Sequence, residues 1–126
     1  KPETELLRQV HPEFVQQGQP SSQVFRPTPK DRKLLSVYDG DQISPGEAFE
    51  HYTSRLGLSS VGVMAVTVDE CKTCELNPRP DPETFPEHGV IDFSEYGENE
   101  IRKRAKRLKT FAVSRGWLYR YDSSPN

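Results

Sequence analysis

SVGVMAVTV, residues 60–68, is nearly all small or β-branched and shows no alternation of apolar with polar positions. A strand with one wet face alternates, whereas a run like this fits a strand covered on both faces. The run therefore predicts a central, doubly buried strand. GVIDF (89–93) reads as a second internal strand, and WLYRY (117–121) alternates as a last one. Shorter strands are expected at ELLRQV (5–10), QVF (23–25) and LLSVY (34–38).

Two helices complete the pattern. Ser44 suits an N-cap, Pro45 the first helical position, and Glu47 stands three residues after the serine, as a capping box requires. Ala48, Phe49, Tyr52 and Leu56 then line one side, and Gly57 is placed to end a helix over 45–56. A second helix opens at Glu98 or Asn99 and runs to about Arg115, with Ile101, Ala105, Leu108 and Ala112 on one stripe and Gly116 as its stop. Between the internal strands, Asp69–Glu87 carries Pro78, Pro80, Pro82 and Pro86, which predicts a long, irregular acidic loop. The last five residues, 122–126, read as a frayed tail. The order β-β-β-α-β-β-α-β predicts one α+β domain over residues 1–126. Its mixed sheet has five to six short strands, with two main helices packed against it.

The 126 residues suffice for one core without staples. An apolar share of 33% beside 29% charged residues and 11 prolines implies a modest core inside long polar loops. One Trp, five Tyr and six Phe keep the chain above the disordered regime. No run of 18 apolar residues is present, so no membrane association is expected. KPETELL at the start lacks the apolar core of a secretion signal, and two cysteines three apart make no extracellular disulfide framework. A soluble cytoplasmic protein is the expectation, with no cofactor.

Charge is unevenly spread. Asp69–Glu100 holds ten acidic and two basic residues, whereas Arg102–Arg120 holds eight basic and no acidic ones. Such neighbours neutralise one another inside the fold or present two faces to charged partners. Arg102, Lys103, Arg104, Lys106, Arg107 and Lys109 cover the arc opposite the apolar stripe of the second helix. A solvated face, a nucleic-acid surface with Trp117, Tyr119 and Tyr121 as stacking platforms, and a docking face for an acidic protein all fit that pattern. The sequence pI of 5.9 argues against a nucleic-acid domain. Glu95, Glu98 and Glu100 complement the helix dipole.

SSQVFRPTPKDRKLLSV (21–37) packs hydrogen-bonding side chains between two apolar segments. As a rigid connector, Thr28 and Asp31 hold a turn between prolines. As the wall of a site, Arg8, His11, Ser22, Thr28, Asp31 and Ser36 converge on a pocket suited to a phosphate, carboxylate or nucleotide. CKTC has the spacing of a zinc or redox pair, with His88 as a further ligand for Cys71 and Cys74. A tetrahedral site lacks its remaining ligands, so reduced loop cysteines are the first expectation and a loop-pinning disulfide another. His51 in FEHY reads as a boundary residue or as a catalyst.

His11-Pro12-x-Phe14, Ser22-x-x-Phe25-x-Pro27 and Asp31 followed by Leu35-Ser36-Val37 resemble small bacterial proteins of unassigned function, a likeness that extends over GVIDF and the basic helix. The resemblance implies a bacterial or phage origin. A weaker likeness is to ADP-ribosyltransferases, which implies NAD-holding roles for Arg8 and Ser36; the catalytic glutamate of that family has no recognisable motif here. With no complete catalytic set, the leading expectation is a non-catalytic interaction or accessory subunit of a bacterial multi-component system, of a defence, toxin-associated or mobile-element kind. Its expected partner is a protein. The alternatives are a nucleotide-binding protein or enzyme using the Arg8–Ser36 pocket, and a nucleic-acid binder using Arg102, Lys103, Lys106, Arg107 and Lys109.

Overall fold

The computed structural model describes residues 1–28 and 32–121. The run at 60–68 supplies strand Gly62–Thr67, buried along its length except at Thr67. On one side it pairs with Glu5–Gln9 in the register Glu5↔Thr67 to Gln9↔Val63. Taking the strands in chain order, β1 is Glu5–Gln9, β2 Val15–Gln16, β3 Gln19–Pro20, β4 Leu34–Asp39, β5 Gly62–Thr67, β6 Asn77–Pro80, β7 His88–Asp92 and β8 Tyr119–Arg120. Six of them form one sheet in the order β6-β7-β4-β1-β5-β8, and β2-β3 is a separate hairpin. Every pairing described is antiparallel, which narrows the expected mixed sheet. The domain is α+β, and among the described residues no helix is long and apolar enough to cross a membrane.

Successive side chains of β5 point to opposite faces, and each face has its own core. Met64 and Val66 pack with Ile101, Ala105, Leu108 and Ala112 of helix α3 (Glu98–Arg115), the stripe expected from its spacing. Val63 and Ala65 pack with Leu7, Tyr38, Ala48 and Phe49 beneath helix α1 (Pro45–Glu50). The sheet is thus covered on both sides, as the run at 60–68 demands. Ser44 and Glu47 close both halves of the capping box of α1. The helix widens into a π turn, His51–Arg55, before Gly57 turns the chain at φ 69°. At Gly62 a Cβ would stand 2.5 Å from the Tyr119 carbonyl oxygen, so only glycine lets β8 approach β5 this closely.

Two expected elements are corrected. QVF lies in a 3-10 turn, Ser22–Phe25, because the Ser21 hydroxyl caps it by accepting from the Gln23 amide. Val24 and Phe25 are consecutive and both fully buried, which a turn permits and a half-wet strand does not. Asp69–Glu87 is also more regular than its prolines suggest. Helix α2 (Val68–Thr73) opens with a capping box in which Thr67 and Glu70 satisfy each other's backbone amides at 3.1 and 2.9 Å. Strand β6 tolerates Pro78 and Pro80 because it lies at the sheet edge, where a missing donor leaves no ladder partner unpaired. The irregular remainder is the short exit at 74–76 and the connection at 81–87. The tail 122–126 and Asp31 lie outside the described residues.

Arg115 ties these layers together. Its guanidinium donates to both carboxylate oxygens of Glu70, at 3.0 and 2.7 Å, and to the Ala65 carbonyl oxygen of β5 at 2.8 Å. Burial alone would raise the Glu70 carboxyl, but hydrogen bonds from Arg115 and from the Thr67 backbone outweigh it and hold the pKa below its usual 4.5. A group depressed on folding stabilises above its unfolded pKa and loses that contribution as pH falls through the folded one. Glu70→Gln should therefore be less stable than the wild type at pH 7, with the gap closing toward about pH 3. Urea denaturation at the two pH values measures it, and a gap independent of pH would refute the assignment.

Candidate functional site

Helix α1 packs on β5, β1 and β8, so it roofs only part of its face of the sheet. Over β4 and β7 the cover is Phe85, from the connection between β6 and β7. Between the two covers lies a cleft of about 350 Å³. Its floor is set by strand register. His88, Tyr38, Leu7 and Ala65 form one row across β7, β4, β1 and β5. In the next row Val90 faces Ser36 and Gln9 faces Val63, but the ladder between β1 and β4 has ended at Leu7↔Tyr38. Arg8 spans the parting, donating from Nε to the Val24 carbonyl at 2.7 Å and from Nη1 to the Ser36 carbonyl at 2.9 Å.

The walls are aromatic. The Phe85 ring centroid stands 4.7 Å from His51, 4.9 Å from His88 and 5.2 Å from Tyr38. Tyr38 and His51 share a hydrogen bond of 2.7 Å between the phenol oxygen and Nδ1. Burial, then the nearness of Tyr52 and Glu87, pushes the Tyr38 phenol well up, so it keeps its proton at any physiological pH. His88 meets Asp81 at 2.9 Å through Nδ1, and Asp81 also accepts from the Thr84 hydroxyl at 2.7 Å. The Thr84 bond first, and His88 after it, hold the Asp81 carboxyl below the usual carboxylate range. An ionised Asp81 can only accept, so the proton of that bond sits on His88 Nδ1.

Gln9 is the anomaly. It lines the cleft at 6% exposure, and neither its amide nitrogen nor its amide oxygen has a hydrogen-bond partner among the described residues. Among those residues no acidic side chain lines the cleft, and Arg8 is the cation that does.

Of the six residues expected to form a pocket, Arg8, Thr28 and Ser36 do line this cleft. His11 does not: its Nδ1 accepts from the Glu13 amide at 3.0 Å, capping the turn Pro12–Phe14, and its ring leans on Phe14. Ser22 sits within the 3-10 turn, whose geometry keeps it off the cleft lining. Asp31 falls outside the described residues. Sequence reasoning missed Gln9, Tyr52 and Phe85. The available signal was Gln9 itself, a polar residue two positions from Leu7 and so on the same buried face of β1.

Cys71 and Cys74 are core residues of α2 and its C-terminal end and not loop residues, both packed on the α3 side of the sheet. His88 belongs to the row facing α1, on the opposite side, so the three do not assemble. Among the described residues no three His, Cys, Asp or Glu side chains are grouped to hold a metal. On α3, Arg104 lies over the Tyr96 ring at 3.7 Å and bonds Glu100, Glu75 and the Cys74 carbonyl. Arg102 pairs with Glu98 and Lys103 with Glu100. Lys106, Arg107 and Lys109 have no ion pair among the described residues.

Burial pushes the Cys71 thiol up to about 12 and raises Cys74 as well. With little thiolate and no access, neither should react with a thiol-specific disulfide reagent at about pH 8 in the folded protein, and both should in denaturant. Rapid labelling of either thiol in the native state would contradict this packing.

No protein-family model, curated protein or solved structure matches the chain.

Proposed function

We propose that the protein binds a small organic molecule in the cleft between the π turn that follows α1 and the β6–β7 connection. One observation carries this reading: Gln9 lines the cleft, and its carboxamide is buried with both polar atoms unpaired among the described residues, so a ligand that draws it toward the cleft gives it partners. Leaving a buried polar group without a partner costs about 1–3 kcal/mol, and a side chain of that size could be apolar at no such cost. A ligand that supplies a donor and an acceptor recovers the deficit. The volume lies at the small end of the roughly 300–1,000 Å³ typical of ligand pockets. The π turn carrying His51 and Tyr52 beside it is of a kind frequent at binding sites. Gln9→Met keeps the shape and removes the unpaired atoms. It should raise the melting temperature of the free protein while shrinking ligand-induced shifts in a metabolite screen. A destabilised Gln9→Met protein that still responds to the same compounds would overturn the reading.

A second reading has its own observation. Exposed Lys106 and Arg107 and half-buried Lys109 present three cations on α3 without an ion pair among the described residues, which fits an accessory subunit that docks an acidic protein. Reversing all three to Glu should leave folding nearly intact, since exposed charges contribute little singly. It should remove retention on immobilised poly-glutamate at low salt. Retention on duplex DNA that falls steeply with salt, and is stronger than on poly-glutamate, would favour nucleic acid instead. No retention on either matrix would leave the face as ordinary solvated surface.

A further inference from the structure

We infer that the ligand of the cleft is a nucleobase-class heterocycle, a planar uncharged ring carrying a neighbouring donor and acceptor on one edge, read by the Gln9 carboxamide. The inference rests on the cleft being a ligand site and adds the chemistry of its occupant.

Three features select this class. The first is the edge. A carboxamide offers its acceptor and its donors in one plane, and its complement is a group with donor and acceptor side by side. The amino and ring-nitrogen edge of adenine has that form, and glutamine pairs with it in two hydrogen bonds. A hydrocarbon ligand would leave both Gln9 atoms unpaired.

The second is the faces. Phe85, Tyr52, Tyr38 and His88 all line the cleft, so a planar ring entering toward Gln9 meets π surface. Stacking on such side chains favours flat heterocycles over sugars or aliphatic amides. Leu56 and Leu58, 44% and 48% exposed, extend the apolar wall to the rim.

The third is charge. Among the described residues no carboxylate lines the cleft to hold a cationic ligand, and the Tyr38 phenol stays protonated. Arg8 already donates to the Val24 and Ser36 carbonyls, so its guanidinium is held in the structure of the floor. Gln9 is itself uncharged, so the edge it reads is neutral, as the base of a nucleoside is.

Calorimetric titration of the whole chain tests this with adenine, adenosine, uracil, purine (which lacks the exocyclic amine) and ribose, alongside amide-resolved NMR. Adenine and adenosine should bind, about tenfold or more tighter than purine, the scale of one well-made base contact. Ribose should not bind, and the shifted amides should centre on Gln9 and Phe85. Gln9→Met should erase the preference for adenine over purine. Phe85→Leu should weaken every planar ligand while preserving that preference.

Base binding that Gln9→Met leaves unchanged would overturn the inference. If no base binds but another compound in a broad metabolite panel shifts Gln9, the cleft is a ligand site of a different class and only this inference fails. If nothing shifts Gln9, the binding reading falls with it.

Discussion

A six-residue strand with two apolar faces is the constraint from which the other features follow. β5 can leave neither Val63 and Ala65 nor Met64 and Val66 in water, so its sheet must be covered twice. The cover on one side is long: α3 lays four buried positions over the sheet, joined by Cys71, Cys74 and Leu76 from α2 and its exit. On the other side the sequence offers only a short capped helix and its π turn. That helix sits where β5 needs it, and the β4–β7 half of the same face is left to a single ring, Phe85. The cleft is the space this unequal cover leaves.

The parting of β1 from β4 deepens it. A full ladder would have set Gln9 beside Ser36, with backbone bonds crossing the gap. Instead the strands separate after one residue pair on the cleft-facing row, and the Arg8 side chain supplies the bond to the Ser36 carbonyl. The same guanidinium holds the Val24 carbonyl, so the buried 3-10 turn that carries Phe25 is fixed to the floor of the site. An arginine at this position is structural and local to the site at once. Two of its partners are backbone carbonyls, which persist whatever side chain stands at 36.

The fold was legible where one periodicity dominated. The uniform run at 60–68, the four-residue stripe of α3 and the Ser44–Glu47 box each admit one physical reading, and each is found. It was illegible where two rules competed. Prolines at 78 and 80 argue against a strand in general but not against an edge strand, and edge position is a property of the sheet and not of the segment. Thr67 and Glu70 spell the same capping box as Ser44 and Glu47, yet they sit at the end of a β run that masks them. The site was half legible for a related reason. Arg8 lies near the end of β1 and Ser36 within β4 where the two strands part, which brings both to the cleft, and Thr28 reaches it from the segment after the 3-10 turn. Gln9 and Phe85 depend on which face of β1 is roofed by what, and only the assembled layers determine that.

The charge asymmetry resolves in the same layered way. Much of the acidic segment is consumed internally: Glu70 by Arg115, Glu75 and Glu100 by Arg104, Asp92 by Arg79. These pairs pin α3 to α2 and β6 to β7, so the alternation of sign along the chain is first a device of assembly. On α3, the cations without an ion pair among the described residues are Lys106, Arg107 and Lys109, off the buried stripe of the helix. The aromatic cleft lies on the opposite face of the sheet, beside the π turn that follows α1. A partner on the basic face and a small molecule in the cleft would not compete for space. Any influence of one on the other would have to pass through the sheet, and the parting of β1 and β4 beside Arg8 is where that sheet is least held by its own ladder.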